Sequence, residues 1–98
     1  MQPDVTMTVT DEPSRQRYEL RRDDELLGFV DYRVRHDGVL VLPHAEIDPR
    51  RRGHGLGAHL VRGTLDHLRA RPATVVPQCP FVARFIAEHP AYADLVAP

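Results

Sequence analysis

Hydrophobic and polar positions alternate through the first half of the chain, with the period of two that is typical of half-buried β-strands. Charged or glycine-containing stretches separate the alternating segments, and Asp37-Gly38 is a tight-turn signal that predicts a hairpin. Four strands are therefore predicted, over residues 5–10, 16–22, 26–35 and 39–47.

The second half of the chain has the helical period instead. Apolar residues recur every three or four positions in residues 55–69 and again in residues 81–89, which predicts two amphipathic helices. Residues 73–76 lie between them and predict a short buried strand, whereas residues 93–98 predict a tail. The apolar face predicted for the second helix consists of Phe81, Val82, Phe85 and Ile86.

The predicted order of elements is ββββαβα, an α+β fold with a mostly antiparallel sheet. Strands four and five are expected to be parallel, because a helix connects them. Gly28 is a candidate for a β-bulge in the third strand. Pro43 has no N–H to give to a ladder, so it indicates an edge or a bulge in the fourth strand. Strand four would then splay from strand five and open a slot between them.

The composition predicts an ordinary globular protein. The 98 residues are enough for one domain, residues 1–98, and are 42% hydrophobic and 28% charged, which argues against disorder. A net charge of −1 does not favour non-specific binding to nucleic acid. The single cysteine cannot form an internal disulfide, and no apolar stretch reaches membrane-spanning length. The first residues do not predict a signal peptide. We therefore expect a cytoplasmic protein with no membrane or nucleic-acid partner.

The most informative motif lies between the fourth strand and the first helix. Three glycines, Gly53, Gly55 and Gly57, alternate behind an arginine run that ends at Arg52. A glycine-rich turn before a helix brings bare backbone and free N–H groups close to a bound anion. The pattern predicts a ligand that carries a pyrophosphate, although the same glycines would also suit a simple tight turn. The other arginines of the run could contact a phosphate or be solvated.

Two better-known glycine loops can be excluded. A nucleotide-binding P-loop requires Gly-Lys-Ser/Thr, and this chain contains no lysine. A dinucleotide fingerprint is formally matched by Gly53, Gly55 and Ala58. That fingerprint belongs to a fold longer than this chain, with an acidic residue about 20 positions later. Here the corresponding residues are Thr-Val-Val at 74–76.

Three residues are candidates for catalysis. Cys79 precedes Pro80 at the predicted start of the last helix, where the helix dipole favours a thiolate nucleophile. The alternative is that Cys79 is a small buried hydrophobe. His44 could take a proton from an acceptor amine or from Cys79, or could be a half-buried strand residue. Glu46 shares a strand face with His44 and could orient it, act as the base itself or lie in solvent. The helical histidines have no partners at metal-ligand spacing, so no metal site is expected.

The motif Arg52-x-x-Gly55-x-Gly57 resembles the Arg/Gln-x-x-Gly-x-Gly/Ala motif of the GNAT acetyltransferase superfamily. In that superfamily the motif also lies between strand four and the following helix. The resemblance extends to His44 and Glu46, to residues 76–82 around Cys79, and to His-Pro-Ala-Tyr at residues 89–92. The joint pattern is similar to the minimal GNAT-like N-acetyltransferase family. Compared with longer members, the chain lacks an extended first-helix region and the last two strands.

The resemblance implies a fold in which strands four and five splay around acetyl-CoA, the cosubstrate. Backbone groups near Glu46 and Ile47 would pair with the pantetheine arm, as an added strand pairs with an exposed edge. The implied activity is N-acetyl transfer to an unidentified amine of a protein or peptide. Residues implied to bind acetyl-CoA are Ile47, Arg52, Gly53, His54, Gly55, Leu56 and Gly57.

Two other functions stay open at this point. One is a non-catalytic module that binds or senses acyl-CoA. The other is a domain that contacts RNA or DNA through its arginine run, although the negative net charge and the lack of aromatic residues around that run count against it.

Overall fold

Seven strands and two α-helices form the part of the chain that the structure describes, residues 7–71 and 73–98 of a computed structural model. Residues 5 and 6 of the first predicted strand lie outside the described residues. The strands are β1 Met7–Glu12, β2 Arg17–Arg22, β3 Glu25–Asp31, β4 Arg33–Val34, β5 Leu40–Val41, β6 Ala45–Ile47 and β7 Val75–Val76. The α-helices are α1 Leu56–Arg69 and α2 Pro80–Glu88, and 3₁₀ turns span Pro13–Arg15, Pro49–Arg51 and Pro90–Leu95.

The strands form two separate sheets. Four antiparallel strands follow the order β1-β2-β3-β6, and three strands follow the order β4-β5-β7. The third predicted strand is divided between the sheets at Tyr32, and the fourth is divided at residues 42–44. In the smaller sheet β5 and β7 are parallel, as the connecting helix predicts. The mixed α+β fold is thus confirmed.

Gly28 lies at a bulge in β3, as predicted. Pairing with β2 shifts from Leu20 opposite Gly28 to Arg21 opposite Leu26, so Leu27 is the extra residue. A Cβ at position 28 would lie 2.5 Å from the carbonyl oxygen of Glu46 on β6. Glycine is therefore needed for β6 to pair closely with β3.

Helix α1 packs against one face of the larger sheet, which we call the inner face. Tyr18 and Leu20 of β2 are buried there, and the Tyr18 hydroxyl lies 3.1 Å from Nδ1 of His67 on α1. A Cβ at Gly63 of α1 would lie 2.8 Å from Cβ of Val9 on β1, so the helix sits very close to this strand. Because side chains alternate along a strand, the neighbours of these residues point to the opposite, outer face.

The C-terminal segment differs from the sequence prediction of a tail. Residues Pro90–Leu95 form a 3₁₀ helix in which Tyr92 and Leu95 are buried, and Val96 bridges to Val75 at the edge of β7. The Tyr92 hydroxyl donates a hydrogen bond of 2.6 Å to Asp66 of α1. Tyr92 and Leu95 therefore belong to the hydrophobic core. Among the described residues, no helix combines the length and apolar character needed to cross a membrane.

Candidate active site

The site forms where the predicted fourth strand is interrupted, between β5 and β6. Leu42 still continues the parallel ladder, because its N–H donates to the carbonyl of Val76 at 2.9 Å. Pro43 follows and has no N–H to give. The His44 carbonyl then accepts from Asp31 of β3 at 2.8 Å, so the chain has left β7 and joined the larger sheet. Strand β6 pairs with β3 alone, and its other edge has no strand partner among the described residues.

A cavity of about 820 Å³ occupies the space beside the free edge of β6. One wall is His44 to Ile47, and another is the loop that contains Pro49 and Gly53. The first turn of α1 and Phe81 of α2 complete the lining. The splay predicted between strands four and five therefore opens a cavity whose volume is in the range of ligand pockets.

The glycine loop adopts a backbone that only glycine enters easily. Gly53 has a φ of +87° and Gly55 a φ of +73°, and a Cβ added at either would meet nothing within 4 Å. Conformation rather than lack of space thus requires glycine at both positions. The loop uses two left-handed residues to turn the chain directly into α1.

The N-terminus of α1 offers free hydrogen-bond donors to the cavity. Gly55 occupies the N-cap position, where no side chain caps the helix, and the first turn contains no acidic residue. The N–H groups of Leu56, Gly57 and Ala58 have no hydrogen-bond acceptor among the described residues. Uncapped donors and the positive end of the helix dipole together make this a place where an anion is stabilised.

The three arginines before the glycines are in different situations. Asp48 accepts hydrogen bonds from the side chain and the backbone N–H of Arg50, which lowers the pKa of Asp48 to about 2. Arg51 forms an ion pair with Glu25. Arg52 is exposed, lines the cavity and has no ion pair among the described residues. Arg52 is therefore the guanidinium of the run that is available to a bound anion.

His44 and Glu46 lie together on the cavity wall. Nε2 of His44 is 2.9 Å from a carboxylate oxygen of Glu46, and both side chains are about half exposed, at 51% and 54%. Because an ionised carboxylate only accepts hydrogen bonds, Glu46 places the proton of a neutral His44 on Nε2. The other ring nitrogen, Nδ1, is then able to take up a proton.

Two predicted site residues lie away from the cavity lining. Cys79 is 5% exposed at the N-cap of α2, and its N–H donates to the carbonyl of Leu42 at 2.9 Å. His54 is exposed and does not line the cavity, whereas its two neighbours Gly53 and Gly55 do. The other predicted binding residues all contribute to the lining: Ile47, Arg52, Gly53, Gly55, Leu56 and Gly57. The roles of all these residues stay predictions.

Phe81 lines the cavity, although the helical spacing predicts it as part of the packed face of α2. That prediction is wrong, since Phe81 is 42% exposed while Val82, Phe85 and Ile86 are buried. The Phe81 ring lies against Gly57, where a Cβ would come within 2.7 Å of Cζ. A glycine in the first turn of a helix was a possible signal that another group approaches there.

Comparison with known proteins agrees with the resemblance seen in the sequence. The family described as GCN5-related N-acetyl-transferase matches residues 17–95. In structure, the chain is similar to a GCN5-like protein from Staphylococcus aureus, solved by NMR and named as a candidate N-acetyltransferase. The TM-score is 0.67 at 16% identity over 95% of this chain and 88% of that chain, so this likeness concerns the fold. From the extent of the family match, the chain belongs to the GCN5-related N-acetyl-transferase family and is an acyltransferase by that membership.

Proposed function

We propose that this protein is an acetyl-CoA-dependent N-acetyltransferase that acetylates an amine of a protein or peptide. The observation that carries the proposal is a cavity that is lined both by the uncapped start of α1 and by the His44–Glu46 pair. An anion site and a proton acceptor in one cavity are the two parts that acetyl transfer from a pyrophosphate-bearing thioester requires.

The residues present fit acetyl-CoA. The free N–H groups at the start of α1, with Arg52 beside them, would hold the pyrophosphate. The unpaired edge of β6 would bind the amides of the pantetheine arm, as an exposed strand binds an added strand. The arm would then run from the glycine loop along β6, so the thioester would lie toward His44.

The reaction needs one proton acceptor and two well-placed reactants. The amine nitrogen would attack the thioester carbonyl carbon, so that a C–N bond forms and the C–S bond breaks. Nδ1 of His44 would accept the proton from the nitrogen while Glu46 holds the ring, and the sulfur would leave as the thiolate of CoA. Holding the amine and the thioester in the correct relative position would supply much of the rate enhancement.

A route through an acetylated cysteine is the alternative. We favour direct transfer, because Cys79 is buried and does not line the cavity. The variant Cys79→Ser tests this choice, since direct transfer predicts activity close to that of the wild type. Loss of activity in that variant at unchanged affinity for CoA would establish the cysteine route instead.

Isothermal titration of acetyl-CoA into the protein at moderate salt tests the proposal first. We expect saturable one-to-one binding, which Gly55→Val weakens by at least about tenfold, because a side chain is strained at that positive φ. Gly38→Val is the matched control, since Gly38 also has a positive φ, +87°, but lies at an exposed hairpin tip, so the substitution should leave the affinity unchanged. Absence of binding at millimolar acetyl-CoA would contradict the proposal. Binding without transfer to any amine would identify a module that senses acyl-CoA.

A further inference from the structure

Two residues of the cavity wall, His44 and Glu46, lie on the outer face of the larger sheet. Glu46 is paired in register with Phe29, which is paired with Glu19, so these three side chains share that face with His44. The His44 and Phe29 rings lie 6.2 Å apart between centroids. Since His44 and Glu46 also line the cavity, an acceptor that reaches them would lie across Phe29.

Beyond Phe29 lies Arg17, whose side chain is held by two contacts. Cζ of Arg17 is 4.3 Å from the centroid of the Phe29 ring, and its side chain is 18% exposed. Nε of Arg17 donates a 2.8 Å hydrogen bond to Glu19, which is 1% exposed and is also bound by Arg21. Stacking on one side and a buried carboxylate on the other fix the position of this guanidinium.

The two terminal nitrogens of Arg17 remain available. They have no hydrogen-bond acceptor among the described residues. Glu12 and Asp31 are the neighbours of Arg17 in register on β1 and β3, yet neither forms an ion pair with it. An arginine bound only through Nε presents its planar fork to a carboxylate or a phosphate.

The charges around Arg17 favour a carboxylate over a phosphate. Glu12 and Asp31 flank it, and Glu46 lies at the cavity end of the same face. The neighbouring arginines, Arg15 and Arg21, are both ion-paired with Glu19, which offsets part of their charge. Three carboxylates repel a dianion more strongly than a monoanion, whereas they attract the ammonium group of a zwitterion. A molecule with an amine near His44 and a carboxylate near Arg17 therefore matches this surface.

We propose that the acceptor carries a carboxylate close to its reactive amine, and that Arg17 binds this carboxylate across the ring of Phe29. The inference rests on the proposed acetyl transfer and names the acceptor class for it. The same chemistry occurs in a free amino acid and in a peptide whose first residue is acidic. Arg17 is then a specificity residue, separate from the proton-accepting pair.

Matched probes with and without the carboxylate test the inference. The probes are β-alanine against β-alaninamide, and the amidated tripeptide Asp-Ala-Ala against Asn-Ala-Ala. A hydrogen-bonded charge pair predicts a kcat/KM about 10- to 100-fold higher for the carboxylate member of one pair. The pair that shows the preference tells whether the source is an amino acid or a peptide.

Variants of Arg17 assign the preference to this residue. In Arg17→Met the ratio of the two kcat/KM values should fall to about one, whereas Arg33→Met, on exposed β4, should keep the wild-type ratio. Should Arg17→Met fail to fold, Arg17→Lys keeps the charge next to Glu19 but loses the planar fork, so its ratio should also fall. Equal rates for both members in the wild type, or a preference that these variants retain, would overturn the inference.

A binding measurement separates this inference from the proposed function. In an NMR titration of the CoA-loaded protein, the preferred carboxylate probe should shift the backbone amides of Arg17 and Phe29, and its amide partner should not. Shifts without any acetyl transfer would count against the proposed enzyme but in favour of the carboxylate site. Transfer to amines without these shifts would overturn the carboxylate site alone.

Discussion

The far edge of the Phe81 ring lies against Gly57 of α1, so close that a single methyl group at position 57 would come within 2.7 Å of Cζ. We expect Gly57→Ala to move the ring and to weaken acetyl-CoA binding by about fivefold, which corresponds to about 1 kcal/mol. The free energy of unfolding should change by less than about 1 kcal/mol, because alanine favours the helix and the exposed ring is able to shift. Calorimetry and urea denaturation measure the two effects.

The contact itself is tested by combining two substitutions. In a Phe81→Ala background the methyl group at position 57 has no ring to displace, so Gly57→Ala should cause no further loss of affinity. Additive losses in the double variant would show that the effect of Gly57→Ala does not pass through Phe81.

His44→Ala should lower kcat by about 10²- to 10⁴-fold, because the variant has no proton acceptor at this position. Glu46→Gln should cause a smaller loss, since the amide oxygen still accepts a hydrogen bond from the ring. Steady-state rates with a reactive amine measure both effects. His36→Ala changes an exposed histidine of the hairpin turn and should keep the wild-type kcat. A His44→Ala variant as active as this control would exclude His44 as the base.

Glu19→Gln should make stability less dependent on pH. Burial raises the pKa of Glu19, but hydrogen bonds from Arg17 and Arg21 together outweigh it and hold the pKa below 4.5. The folded state then binds a proton less readily than the unfolded state, so Glu19 stabilises the fold above pH 4.5 and this contribution is lost as the pH falls. At pH 7 the substitution should cost about 1–3 kcal/mol.

Urea denaturation from pH 7 down to pH 3 checks this dependence. The difference in the free energy of unfolding between the wild type and Glu19→Gln should become smaller below pH 4.5. Glu88→Gln, at an exposed position of α2, should show no such change. A difference in the free energy of unfolding that stays constant from pH 7 to pH 3 would contradict the role assigned to the Glu19 carboxylate.

Gly63→Ala should destabilise the protein by about 1–3 kcal/mol, as expected for overpacking. The new Cβ would lie 2.8 Å from Cβ of Val9, and a rotation of the valine side chain does not move that atom. The gain of about 1 kcal/mol in helix propensity is smaller than this cost. Thermal denaturation measures the result, and a stabilised variant would show that α1 and β1 separate easily.

Local patterns were sufficient for most of the fold. Alternation located the strands, and the apolar spacing located α1 and α2 to within a residue at each end. Alternation tells which face a side chain occupies, but it does not tell in which sheet a strand continues. For this reason the divisions at Tyr32 and at residues 42–44 were not predicted as changes of sheet, although Pro43 indicated an irregularity at the second one.

The site could be predicted only as far as it depends on neighbours in sequence. Glycine spacing identified the anion loop, and a separation of two along a strand placed His44 beside Glu46. Helical spacing alone did not identify Phe81 as a cavity residue, because it does not distinguish a core side chain from a cavity wall. The pairing of Arg51 with Glu25 joins distant segments, so nothing in the arginine run indicated which of its members stays available.

The cavity depends on the parallel pairing of β5 with β7. This pairing joins a segment that precedes α1 in the sequence to one that follows it. Contacts between distant segments are slow to form, so we expect the hairpins of the larger sheet to form before this pairing. Acetyl-CoA would then bind only molecules that have completed folding, and would stabilise them by mass action. On this view, the supply of the cosubstrate would influence how much folded protein a cell contains, apart from any effect on turnover.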